Sequence, residues 1–417
     1  MPPAETAETC GFPAMDRTLV RKRARKFLRA GALSGKNGRA CGTTHLDTFA
    51  QSNSFSAMTT QTATQDLTET QPQRGVAVWL FLCAAWVFAV AVLGGLTRLE
   101  HAGLSIVQWK PLAGILPPLN AEQWAAEFEN YKRFPEYLQV HTGLDLAGFK
   151  YIFFFEYSHR LLARFLGFAI LVPLLFFWLS KRIDGRQALR YGGLVVLVGL
   201  QGALGWYMVS SGLVDRPDVS HYRLTSHLGL AVILFGLLVW FGLEALRTQR
   251  DEWGVPVAAS LRFASWGAVA LIYLLILSGG FVAGLDAGFD YNTFPKMDGR
   301  WFPPGLFPDN PLESIVTVQF IHRWFGVVVA AYLVLLWGIS SDTRVPDEAR
   351  PMYRALLIMI AVQGALGLGT LLMVVPLSLA ALHQAGALGL LALAIAAAHG
   401  VTFARVRPPP GIHILPA

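Results

Sequence analysis

Eight runs of apolar residues, at 76–96, 161–179, 191–209, 228–243, 263–285, 324–339, 355–375 and 377–403, divide this chain. Each approaches the roughly 20 residues an α-helix needs to span about 30 Å of hydrocarbon. Inside lipid the backbone must satisfy its own polar groups, so runs of this length fold as helices. With 54% hydrophobic and only 15% charged residues in 417, the chain is too apolar for a soluble domain. The fold class expected is an all-α integral membrane protein with eight transmembrane helices.

The net charge of +7 reports orientation in the membrane, not a nucleic-acid partner. Of 34 Lys and Arg, ten precede the first run, four lie in 180–190, three in 246–262, three in 341–354 and two in the C-terminal tail. The positive-inside rule then puts both termini in the cytoplasm and the loops 98–155 and 286–317 outside. A bacterial inner membrane is the expected location, with the mitochondrial inner membrane as the alternative. The basic stretch RTLVRKRARKFLRA in the tail reads either as a presequence or as an extension upstream of a chain starting at Met58. Cys10, Cys41 and Cys83 are scattered and form neither a disulfide framework nor a CxxCH haem attachment. No flavin, nicotinamide or iron–sulfur fingerprint is present, so the sequence names no electron donor, and it sets no oligomeric state.

The chain is written twice. GGLTRLEHAGLS (94–105) answers to GGFVAGLDAGFD (279–290), and EYSHRLLARFLG to QFIHRWFG. VGLQGALGWYM answers to AVQGALGLGTL, and SHLGLAVIL to LHQAGALGL. Four spans per half is an even number, so the halves run parallel. Two four-helix bundles are expected, at 75–245 and 262–405, with a linker at 246–261 and polar tails at 1–74 and 406–417. The glycines of the two QGALG segments are expected to let helix backbones approach closely.

Four of the ten histidines fall in matched places. His159 and His322 open the second and sixth spans, and His227 and His383 the fourth and eighth. Singly, each is as readily an interfacial residue satisfied by water. As pairs of neutral imidazoles on facing helices they form an axial clamp for a haem iron. No thiolate or carboxylate pair beside them favours zinc or di-iron. Arg160 and Arg323 follow the first histidine of each pair; a guanidinium there either holds a haem propionate or snorkels to headgroups. Arg164 has the same two readings but no counterpart. His101, His141 and His221 lie in or beside outer loops without a repeat partner, His399 lies at the opposite face, and His45 and His413 are in tails.

One position departs from the repeat. Glu156 stands three residues before His159, on the same helical face, whereas Gln319 stands three before His322. Gln keeps the shape and hydrogen bonding but neither charge nor proton exchange. The contrast suggests that chemistry belongs to the first half and electron transfer alone to the second.

Together with EFENYKRFPEYLQ, these segments resemble the haem A synthase family over residues 75–405, in the branch of alphaproteobacteria and mitochondria. That of the other branch which depends on a cysteine pair in the first outer loop does not carry over, because no cysteine lies between Leu99 and Phe155. The resemblance implies oxidation of a methyl group of haem O to the formyl group of haem A, for terminal oxidases. It also implies a resident haem b between His322 and His383, and the substrate haem between His159 and His227. Glu156 becomes the essential carboxylate, as proton carrier or as stabiliser of positive charge. A haem O synthase and an electron donor are the implied partners, besides membrane lipid. A di-haem quinol-linked cytochrome and a haem-handling assembly factor are the competing readings. Segment 120–134, with Asn120 as N-cap, is expected to form a short helix roofing the haem pockets.

Overall fold

The computed structural model describes residues 73–108, 113–214, 217–247, 255–342, 345–347 and 349–406, all within one compact unit, Leu67–Ala417. The basic stretch of the N-terminal tail lies outside them. The regular structure of the described residues is helical apart from one short antiparallel pairing, β1 (Val255–Pro256) with β2 (Arg405–Val406), and an isolated bridge between Met297 and Arg300.

Eight helices are long and apolar enough to cross a membrane, one on each expected run. They are α1 (Arg74–Leu99), α4 (Leu146–Leu179), α5 (Gly185–Val209), α6 (His221–Leu246), α7 (Ala259–Gly284), α8 (Ile315–Asp342), α9 (Arg350–Leu372) and α10 (Leu377–Thr402). Two short helices, α2 (Ala121–Tyr131) and α3 (Pro135–Gln139), occupy the loop after α1.

Three helices begin well before their apolar runs. α4 starts at Leu146, where the Asp145 side chain accepts from Gly148 N at 2.7 Å, although the run starts at 161. Hydropathy stops at the first cluster of polar residues, whereas a helix continues until its backbone hydrogen bonds stop. Glu156 and His159 therefore lie in the body of a 34-residue helix, not at its mouth. His322 and His227 likewise lie inside α8 and α6, and His221, at the edge of an outer loop, opens α6 and is buried.

In each half the helices pack as a ring. α1 contacts α4 and α6, with α5 between those two; α7 contacts α8 and α10, with α9 between. The halves meet where α6 packs on α7, and where α10 packs on α6 and α1. The apolar window of α6 is 50% buried, against 6% for α5 and 11% for α9, so α6 is central and the other two turn their apolar sides outward, to lipid. Adjacent glycines divide the work at the seam. A Cβ on Gly95 of α1 would lie 1.7 Å from Gln384 Oε1 of α10, and one on Gly280 of α7 would lie 3.0 Å from Thr225 Oγ1 of α6. Gln384 Nε2 then donates to Ala91 O at 2.8 Å.

α2 is capped as expected, Asn120 Oδ1 accepting from Gln123 N at 2.9 Å. It docks on the outward extension of α4 through buried Trp124, Phe128 and Tyr131. The Trp124 ring lies 4.9 Å from that of Phe153, and Tyr131 stacks at 5.2 Å on Phe149. These aromatics anchor α2 to protein.

Candidate functional site

The four matched histidines share one packing rule. A Cβ placed on Gly94 would come within 2.8 Å of His159 Cε1, on Gly279 within 3.1 Å of His322 Cε1, on Gly205 within 2.9 Å of His227 Cε1 and on Gly367 within 2.7 Å of His383 Cε1. Each imidazole thus lies against a glycine of a neighbouring helix. Here the QGALG expectation is corrected: Gly205 and Gly367 make room for rings, while the first glycines, Gly202 and Gly364, face open space. The glutamine of each segment holds the histidine on the following helix. Gln201 Nε2 donates to His227 O at 2.9 Å and lies 3.4 Å from His227 Nε2; Gln363 Nε2 donates to His383 O at 2.7 Å and lies 3.1 Å from His383 Nδ1. On the other member of each pair, His159 Nδ1 meets Val90 O at 3.1 Å and His322 Nδ1 meets Ser278 Oγ at 2.8 Å.

His322 and His383 face each other with ring centroids 6.3 Å apart and planes at 89°. Two imidazoles on opposite sides of one metal ion, each nitrogen about 2 Å from it, have centroids roughly 6 Å apart. The pair therefore fits a haem iron. Among the described residues no group of three or more His, Cys, Asp or Glu could hold a metal ion.

The altered position is met by the same loop in both halves, with hydrogen-bond polarity reversed. Glu156, 3% exposed, accepts from Ser105 Oγ and Ile106 N, both at 2.7 Å, and from Arg160 Nη2. In the second half Gln319 Nε2 donates to Ala287 O at 2.7 Å and Asp290 O at 2.5 Å. Repeat alignment pairs Ser105 with Asp290 and His101 with Asp286. The latter two both adopt left-handed backbone, φ 47° and 53°, and the alanine after each is fully buried. One loop form is therefore built twice, presenting donors to a carboxylate and carbonyls to an amide.

The arginines clamp these loops. Arg160 Nη2 reaches Ile106 O at 3.1 Å as well as Glu156; Arg323 donates to Thr293 O at 2.7 Å and to Tyr291 O. Arg160 also lines a cavity of about 460 Å³ with Arg164, Tyr157 and, from α2, Gln123 and Glu127. So α2 walls a space beside Glu156. Gln201, Gln363 and Ser278 carry no role in the sequence reading, and the ring-facing glycines none toward the histidines, although the doubled QGALG held the signal for Gln201, Gln363, Gly205 and Gly367.

Eight spans, four matched histidines within the helices and a buried carboxylate one turn before His159 define a class of multi-span membrane protein with the ligands a haem iron takes. The COX15-CtaA family, described as cytochrome oxidase assembly protein, matches residues 77–395. Similar proteins named heme A synthase occur in Nitrosospira multiformis, 46% identical over 331 residues covering 78% of this chain and 92% of that one, and in Rhodospirillum centenum, 42% over 345 residues covering 81% and 89%. This chain belongs to the COX15-CtaA family.

Proposed function

We propose that this chain is a haem A synthase, oxidising a methyl substituent of haem O to a formyl group, with the first half as the reaction site. The observation that carries this reading is the reversed polarity at Glu156 and Gln319 inside otherwise matched loops. A scaffold for electron transfer alone has no use for a carboxylate in one half and an amide in the other.

The substrate haem lies between His159 and His227, with Glu156 on the same face of α4 as His159. Glu156 takes up a proton or steadies positive charge developing on the substrate, where low dielectric strengthens such interactions. Ser105, Ile106 N and Arg160 hold its oxygens in place. Arg160 and Arg164 at the cavity supply guanidinium donors suited to carboxylates. His322 and His383 hold a haem b, which supplies one-electron transfer. Ser278 Oγ, as acceptor for the Nδ1–H of His322, orients that imidazole, the support that bound histidines generally receive, and Gln363 fixes the backbone of His383 through its carbonyl. Haem O from a haem O synthase and a separate electron donor complete the reaction. The chain sits in a bacterial inner membrane with both termini cytoplasmic.

The test is the pigment of membranes carrying Glu156→Gln. Haem O accumulating at the expense of haem A, with haem b retained, is the expected result; a normal haem A content overturns the reading.

A further inference from the structure

Two consecutive carbonyls of α1 receive side chains from opposite halves. His159 Nδ1 lies 3.1 Å from Val90 O; a carbonyl only accepts, so Nδ1 carries the proton and Nε2 is left for a metal. Gln384 Nε2, from α10, donates to Ala91 O at 2.8 Å. The residues one turn further on are Gly94 and Gly95. A helical side chain covers the turn before its own Cα, so these glycines uncover the two carbonyls. The nearest atoms to a Cβ on Gly94 would be those of the His159 ring, and to one on Gly95 those of the Gln384 amide. Gln384 follows His383 in the chain. One turn of α1 is thus gripped on one side by a histidine of the first pair and on the other by the neighbour of a histidine of the second.

The same stretch of chain goes on to hold Glu156. α1 ends at Leu99, and the loop after it supplies Ser105 Oγ and Ile106 N, both 2.7 Å from the Glu156 carboxylate. Between the two, Arg98 is tied to Asp286 of the second half at 2.6 Å. Residues 90–106 therefore orient both His159 and Glu156, and the second half holds that stretch at two places. The matching seam is built differently. Leu228 stands where Gln384 does, and a Cβ on Gly280, matched to Gly95, would lie 3.0 Å from Thr225 Oγ1 and 3.3 Å from Leu228 Cδ2. Leu228 cannot donate, and Thr225 Oγ1 has no hydrogen-bond partner. His322 does not need that seam. Ser278 of its neighbour α7 meets its Nδ1 at 2.8 Å and donates to Leu275 O, the match of Val90 O, at 2.8 Å. His159 meets bare backbone instead, so its hydrogen bond depends on where α1 stands.

We propose that Gln384 is a positioning residue for the reaction site in the other half. By holding Ala91 O and lying on Gly95, it fixes α1 against His159, and with it the direction in which His159 presents Nε2 to the substrate haem. The second half then supplies geometry to the first site as well as electrons, and the first site is incomplete without it. The inference rests on the reading that haem O binds between His159 and His227.

The experiment takes the purified full-length protein with haem b bound, adds haem O, and records the low-spin electron paramagnetic resonance signals of both haems. Membranes carrying the same variants and supplied with haem O give the rate of haem A formation. Gln384→Met keeps the length of the side chain and loses the N–H. Gly95→Ala keeps Gln384 but pushes it off Ala91 O, because the new methyl would lie 1.7 Å from Gln384 Oε1. Both are expected to shift the signal of the first-site haem and to slow haem A formation about 10- to 100-fold, the range for a lost hydrogen bond that supports a metal ligand. The haem b signal and content should stay as they are. Leu228→Met, the same residue placed at the matching seam, should change neither haem. Wild-type signal and rate in Gln384→Met would mean that His159 needs nothing from the second half, and loss of both haems together that Gln384 only holds the fold; either overturns the proposal. A wild-type protein that binds haem b but leaves haem O unconverted removes the reading of function, and this inference with it, so the two failures are told apart.

Discussion

Glu156 is held by donors alone: a hydroxyl, a backbone N–H and a guanidinium. An amide at this position can keep one oxygen against Ser105 and Ile106, but its NH2 then faces Arg160, donor against donor. Arg160 retains Ile106 O, so the loop stays clamped. Glu156→Gln is therefore expected to fold with haem b in place and to lose about 100-fold or more of its haem O conversion, the scale for one acid–base or electrostatic group; the haem O to haem A ratio measures it. The Glu-to-Gln contrast was legible in the sequence because side chains are what a sequence spells out. The reversed polarity was not, because Ile106 offers its N–H and Ala287 its C=O, groups every residue carries.

Among the helices, α5 and α9 show how one segment can hold glycines of two kinds. In QGALG the first glycine faces open space and the last faces an imidazole. Gly364→Ala should then be tolerated, and even gain up to about 1 kcal/mol of helix preference. Gly367→Ala instead drives a methyl to 2.7 Å from His383 Cε1. His383 would have to move, and haem b content, measured as pyridine haemochrome per protein, should fall sharply in Gly367→Ala and stay normal in Gly364→Ala. Equal haem in both would remove the packing argument. The existence of all eight spans could be read from apolar run length. Their starts could not: Asp145 caps α4 sixteen residues before its run begins, and hydropathy does not see a cap. The glycine pattern was visible too, but what faces each glycine depends on the neighbouring helix.

Across the whole molecule, the duplication was legible because order and spacing repeat, whereas the seam was not. Gln384 against Gly95 and Arg98 against Asp286 join one half to the other, and the repeat places Leu228 opposite Gln384 and Ala283 opposite Arg98, neither of which can make the same polar contact. The seam makes the halves one body, and the sites within it differ. Beside the first, Arg160 and Arg164 line an open cavity; the residue matched to Arg164 is Val327, an exposed apolar side chain. Beside the second, His322 and His383 already stand at the separation one iron needs. An accessible, cationic pocket suits a group that enters and leaves, and a closed pair suits one that stays. His322→Ala or His383→Ala should therefore abolish the haem b spectrum of the purified protein. His159→Ala or His227→Ala should keep that spectrum and lose the haem O and haem A that copurify, because the buried faces of α6, α7 and α10 hold the second half together without the first site's iron. Extracting and separating the haems of the four variants decides the matter: loss of the same haem from all four would mean that the two halves are not specialised.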